Sequence, residues 1–199
     1  MLDAHRNRRI GSTLEYTTLK QRLDGCAASI AAILRDAQGN GIDQARLQEC
    51  EKEFSRLCDG RREVLWFALF HPASVLRVSQ SFEALWGCSV GRLMQNPRVW
   101  VNTIHPDDRQ RVENTFTSWL EQGATGGYSI AYRIVRSDGS VIGVYDSVSG
   151  IFDKDAKLVG TCGIVRVLRK DERTESRVGT TKQSKAHVQA LRGTWEVVR

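Results

Sequence analysis

The chain has 199 residues, 41% of them hydrophobic, with a formal charge of +6 and a sequence pI near 9.3. That suffices for one domain with extensions or two small domains, with a core that needs neither disulfides nor a structural metal. The basic excess is uneven: residues 1–61 and 62–168 each sum to +1, residues 169–199 to +4. A phosphate-binding surface belongs on the folded part, so nucleic acid is not expected as a partner.

No apolar run reaches the roughly 18 residues of a membrane span. Met1 to Arg6 lack the apolar core of a secretory signal. A cytoplasmic location with no membrane partner is expected. The five cysteines are odd in number and form no Cys-x-x-Cys pair, so they read as small buried side chains. His5, His71, His105 and His187 have no metal-ligand spacing, and no metal is expected.

The first predicted helix spans 14–37. Leu19, Leu23, Cys26, Ile30, Ile33 and Ala37 recur in a heptad seam, stopped by Gly39-Asn40-Gly41. A second helix starts at Asp43, a good N-cap, and carries Leu47, Cys50, Phe54 and Leu57 to Asp59-Gly60. Together they form a helical hairpin. Its seam must be buried on itself, on the domain formed by the residues beyond 61, or on a second copy. Val64 to Phe70 is a nearly continuous apolar run, hence a strand covered on both faces. One face should line an interior, and the hairpin can cover the other. His71 to Ser74 reads as a turn and Val75 to Val78 as a second strand. Ser79 or Ser81 can cap a short helix ending at Gly87, with Phe82, Leu85 and Trp86 on its apolar side. Val90, Leu93 and Met94 form a further turn before Asn96-Pro97, and Trp100 leads towards a longer helix.

That helix opens with Ile104-His105-Pro106-Asp107-Asp108-Arg109. Proline suits a first helical position, and the carboxylates face the positive end of the dipole. Helix-start chemistry thus accounts for Asp107 and Asp108 without a metal or an acid–base pair. Val112, Phe116, Trp119 and Leu120 make one apolar stripe up to Gly123. The period then changes to two: Ile130, Tyr132 and Ile134 share a face and alternate with Arg133. Asp138-Gly139 predicts a two-residue hairpin loop between strands 128–136 and 141–151. A final strand spans 158–168. Residues 171–186 read as a polar linker, and Val188, Leu191 and Trp195 are spaced for a short helix. P-loop, Rossmann, nucleophile-elbow and zinc motifs are missing, and no catalytic residue is nominated.

Ile-His-Pro-Asp-Asp-Arg followed by Tyr132-Arg133-Ile134-Val135-Arg136-Ser137-Asp138-Gly139 resembles the PAS sensory family. The likeness extends over about residues 62–170, through Val78 to Gly87 upstream and Asp153 to Ala156 downstream. It departs from the family at Gly143, where a tryptophan is usual, and at Ile164-Val165-Arg166, where Asp-Ile-Thr often ends the last strand. The resemblance implies an α+β fold: a PAS-like five-stranded antiparallel sheet with helices on one face, here preceded by the helical hairpin. The divisions are then 1–61, 62–170 and a basic tail, 171–199.

Family architecture and strand parity together place an apolar pocket between the sheet and the helices of residues 79–120. Trp66, Phe82, Leu85, Met94, Trp100, Ile130, Tyr132 and Ile134 should line it, or fill it as a packed core. Cofactor identity stays open. Flavin is not expected, because Gly91 to Asn96 stand where the light-sensing subgroup has its reactive-cysteine motif. Haem is not expected either, with His105 alone near enough to serve as a ligand. The implied function is signal transduction: binding of a small ligand or partner protein, relayed through flanking helices to a downstream signalling protein. Because flanking helices of the family commonly pair, a homodimer is expected. The alternatives are a ligand-free scaffold for dimerisation or partner contact, and a nucleic-acid-associated regulator.

Overall fold

The structure is a computed structural model that describes residues 2–70 and 75–168, with the side chains of its first helix described over 15–37. The expected turn at His71 to Ser74, and the linker and helix after 170, lie outside the described residues.

The first helix, α1, runs from Leu2 to Asn40 and ends at Gly41, whose φ of 75° suits glycine. Helix α2 covers Gln44–Cys58, and the Asp43 side chain accepts the Arg46 N–H, as an N-cap should. Strands β1 (Val64–Leu69) and β2 (Val75–Val78) follow. Next come three short helices, α3 (Ser81–Trp86), α4 (Val90–Gln95) and α5 (Arg98–Thr103). The longer α6 (Pro106–Glu121) leads into β3 (Tyr128–Val135), β4 (Val141–Phe152) and β5 (Leu158–Val167). The sheet order is β2-β1-β5-β4-β3, with every neighbouring pair antiparallel.

Side-chain parity divides the core between the two faces of this sheet. Val64, Ile130, Tyr132, Ile134, Val144 and Val165 turn towards α3–α6. Leu65, Phe67, Leu69, Ile151, Cys162 and Ile164 turn the other way, against Leu19, Leu23, Cys26 and Ile30 of α1 and Phe54 and Leu57 of α2. Phe54 meets Phe67 edge-on at 5.3 Å. The apolar run of β1 is therefore explained by burial on both faces. The α1 seam is buried against its own sheet, with Leu23 fully enclosed. The seam from which a homodimer was expected is thus occupied within the chain. Each large side chain enclosed there contributes about 1.5–3 kcal/mol to holding the hairpin down.

Two local expectations are corrected. Ser79 and Ser81 do not cap α3. Ser79 Oγ accepts the Leu65 N–H at 2.9 Å, and Ser81 Oγ donates to Glu63 O at 2.7 Å, so both tie the helix to β1. The β3–β4 loop has three residues, 137–139. Arg136 N–H bonds Ser140 O, Gly139 N–H bonds Arg136 O, and Gly139 alone takes a positive φ, of 80°. Gly143 faces α1's side of the sheet, not the interior, and a Cβ there would meet Leu168 Cδ1 at 3.0 Å. Among the described residues no helix is long and apolar enough to cross a membrane.

Candidate functional site

The two motifs singled out in the sequence meet in space. His105 caps α6: its Nδ1 accepts the Asp107 N–H at 3.3 Å, and its own N–H bonds Arg133 O at 2.9 Å. Asp108 Oδ2 accepts both the backbone N–H of Arg133 (2.8 Å) and its Nε (2.9 Å), while Oδ1 takes Nη2 at 3.0 Å. Burial acts to raise the Asp108 pKa, but the Arg133 side chain and N–H outweigh it and hold the carboxyl below its ordinary value. Asp107 reaches Arg133 Nη2 at 3.2 Å. The motifs thus fasten the start of α6 to β3, and this fixes the helix's apolar stripe above the sheet.

Beneath α6 lies a cavity of about 160 Å³. Its sheet wall is made by Val64, Trp66 and Ala68 of β1, Leu76 and Val78 of β2, Tyr128 of β3, Asp146 and Val148 of β4, and Thr161 and Val165 of β5. Phe82 and Trp86 of α3, Leu93 of α4, Trp100 of α5 and Phe116 and Leu120 of α6 close the other side. Phe82 stacks on Trp86 at 4.7 Å, and the Trp86 indole N–H donates to Thr103 Oγ1 at 3.0 Å, which sets α3 against α5. The Trp66 indole lies over Gly163, where a Cβ would come within 2.8 Å of its ring atoms. Glycine at that point lets the indole lie close to the sheet.

Of the eight side chains predicted to line the site, Trp66, Phe82 and Trp100 stand on the cavity wall. Leu85, Ile130, Tyr132 and Ile134 belong to the packed core around it. Met94 is 44% exposed and points away; Leu93 takes its place. In a six-residue helix, a one-residue error of phase exchanges inside for outside.

The residue that sequence reasoning missed is Asp146. It is 2% exposed, directly across from Ile130 in the β3–β4 ladder, and on the cavity wall. Its Oδ2 lies 3.4 Å from the Tyr132 hydroxyl, while Oδ1 has no hydrogen-bond partner. Burial pushes the carboxyl up to about 7, with Trp66 and Tyr132 partly opposing. The signal was present in Val144, Asp146 and Val148, which share parity. Two valines facing inward bring the acid in with them. Among the described residues no group of three or more His, Cys, Asp or Glu is placed to hold a metal.

A family model for the PAS fold matches residues 75–165. Over those residues the chain has the PAS fold. Solved structures similar to it include the N-terminal domain of a diguanylate cyclase with a PAS/PAC sensor from Marinobacter aquaeolei, 20% identical, covering 57% of this chain and 98% of that one at a TM-score of 0.46. A sensory box histidine kinase/response regulator from Burkholderia thailandensis is 20% identical over 72% of this chain and 95% of its own, also at 0.46. The PAS domain of a Colwellia psychrerythraea protein is 19% identical over 59% and 96%, at 0.47. No curated protein matches the chain. In this PAS domain the cavity lies between the sheet and α3–α6, and the hairpin covers the opposite face.

Proposed function

We propose that this chain is a sensory module in which the PAS domain binds a small molecule and α1–α2 report its occupancy. The observation that carries this reading is the cavity of about 160 Å³. A dry, apolar cavity of about 150 Å³ accepts a molecule such as benzene. The work is binding rather than catalysis, since Asp146 stands among aromatic and aliphatic side chains. A route to the helices is built into the strands. Trp66 faces the cavity while its neighbours Leu65 and Phe67 face the hairpin; on β5, Thr161 faces the cavity and Cys162 the hairpin. A ligand that moves Trp66 therefore displaces residues on which α1 and α2 rest, and shifts the population of hairpin arrangements offered to a signalling partner. All five cysteines are free, which fits the reducing cytoplasm.

Native mass spectrometry of the full chain, followed by hydrogen exchange with and without single-ring compounds, tests the proposal. A bound small molecule, or a compound that raises the melting temperature and alters exchange in α1, is expected. No bound mass, together with no compound that shifts either readout, refutes it and leaves the domain as a scaffold.

A further inference from the structure

Asp146 is an odd residue to find on an apolar cavity wall. A carboxylate taken from water needs donors, and here Oδ2 has a long contact to Tyr132 and Oδ1 has no hydrogen-bond partner, while the nearby N–H groups of Trp66 and Ser147 ease its burial only in part. The rest of the wall around it is rich in aromatic rings: Trp66, Trp86, Trp100, Phe82, Phe116 and Tyr128. Aromatic faces carry negative charge density and attract cations, most strongly when water is excluded. An unpartnered acceptor and a cluster of rings around one small cavity ask for the same thing: a compact cation with a hydrogen to give.

We propose that the PAS cavity recognises a small primary or secondary ammonium with an apolar body of one ring, whose N–H donates to Asp146 Oδ1 while its ring lies among the tryptophans. This rests on the reading of the cavity as a ligand site and names what fills it. The fold already bears the cost of removing Asp146 from water, so the incoming cation gains a partner for which no further desolvation of the acid is needed. Charge bookkeeping agrees. Tyr128 and Tyr132 of β3 face Asp146, and burial holds both phenols un-ionised. Trp66 of β1 supplies a neutral N–H, Lys20 of α1 acts on Asp146 only as a charge, from the hairpin's side of the sheet, and Tyr16 of α1, whose charge also couples to Asp146, is held un-ionised by burial. The α3–α6 wall contributes no ionisable side chain among the described residues. Nothing in the cavity itself neutralises the acid. With Asp146 titrating near 7, the protein exchanges a proton on the carboxyl for an alkylammonium as pH rises.

Benzylamine and toluene, near-isosteres that differ in the charged donor, are the probes. Their binding to the full chain is followed by tryptophan fluorescence and by ligand-observed NMR, in wild type and in Asp146→Asn. Benzylamine should bind wild type about tenfold or more tighter than toluene at pH 8, the size of a hydrogen bond to a charged group. Its affinity should fall by up to about tenfold per pH unit below pH 7, and Asp146→Asn should abolish both the preference and the pH dependence while still binding toluene. Toluene binding equal to or tighter than benzylamine at pH 8 overturns the ammonium proposal and leaves the ligand site standing. If neither probe binds, the ammonium proposal falls, and native mass spectrometry of the full chain decides whether the ligand site falls with it. If benzylamine binds Asp146→Asn as tightly as wild type, the amine sits elsewhere and the assignment to Asp146 is wrong.

Discussion

Replacing Asp146 by asparagine should make the protein more stable at alkaline pH, which is the reverse of what removing a buried charged residue usually does. The side chain keeps its shape and can still meet the Tyr132 hydroxyl. What disappears is an ionisation that the fold resists. The folded-state pKa is about 7 against an ordinary 3.8. A raised carboxyl binds its proton more tightly in the native state, so its contribution to stability is fully present below about pH 4 and is lost as pH rises through 7. The whole difference is worth about 4 kcal/mol, and the part lost between pH 5 and pH 8 is roughly 2–3 kcal/mol. Asp108, Asp138 and Asp153 have lowered pKa values and push stability the other way in acid. The variant therefore serves as the reference. Urea unfolding of wild type and Asp146→Asn at pH 5 and pH 8 gives two stability differences. Relative to the variant, wild type should lose roughly 2–3 kcal/mol between them. A difference that stays constant from pH 5 to pH 8 would show that Asp146 is ionised throughout, and the account of an under-solvated carboxyl would be wrong.

Asp108→Asn removes the bidentate contact to Arg133 and should cost about 1–2 kcal/mol at pH 7, a figure discounted for the exposure of the arginine; urea unfolding checks it, and the loss should shrink below pH 4. Gly163→Ala should drive the Trp66 indole from its place, with a changed tryptophan emission and a cost of roughly 1–3 kcal/mol; an unchanged spectrum would mean the ring has room to spare. Leu23→Ala should destabilise the chain by about 2–5 kcal/mol, and light scattering should show the same mass as wild type, because the side chain packs on its own sheet.

The sheet was legible because strands repeat with a period of two over many residues. Arg133 between Tyr132 and Ile134 is sufficient to choose the inner face. Helix α6 was legible from Pro106 and the acids behind it, yet the partner of Asp108 was not, since a contact across 25 positions leaves no local trace. The short helices failed for want of length: six residues give fewer than two turns, so Leu93 and Met94 could not be told apart. Ser79 and Ser81 look like caps in any sequence, and only the proximity of β1 gives them other partners. Asp146 went unread because β4 was treated as a partner strand with no phase of its own, although Val144 and Val148 supply one.

Strand β1 lies between β2 and β5, and the match to the PAS fold begins after it, at residue 75. The unit that similarity delimits and the unit that must fold are therefore different objects. A fragment cut at residue 75 would leave β5 with a bare row of backbone donors and acceptors along a long apolar edge, the usual starting point for cross-chain strand pairing. A cut at residue 62 keeps β1 but strips the cover from Phe67, Ile151 and Ile164, an oily plane that water would not tolerate in isolation. The hairpin is thus half of the sheet's shelter, and a variant that lifts it from the sheet for longer would be expected to precipitate.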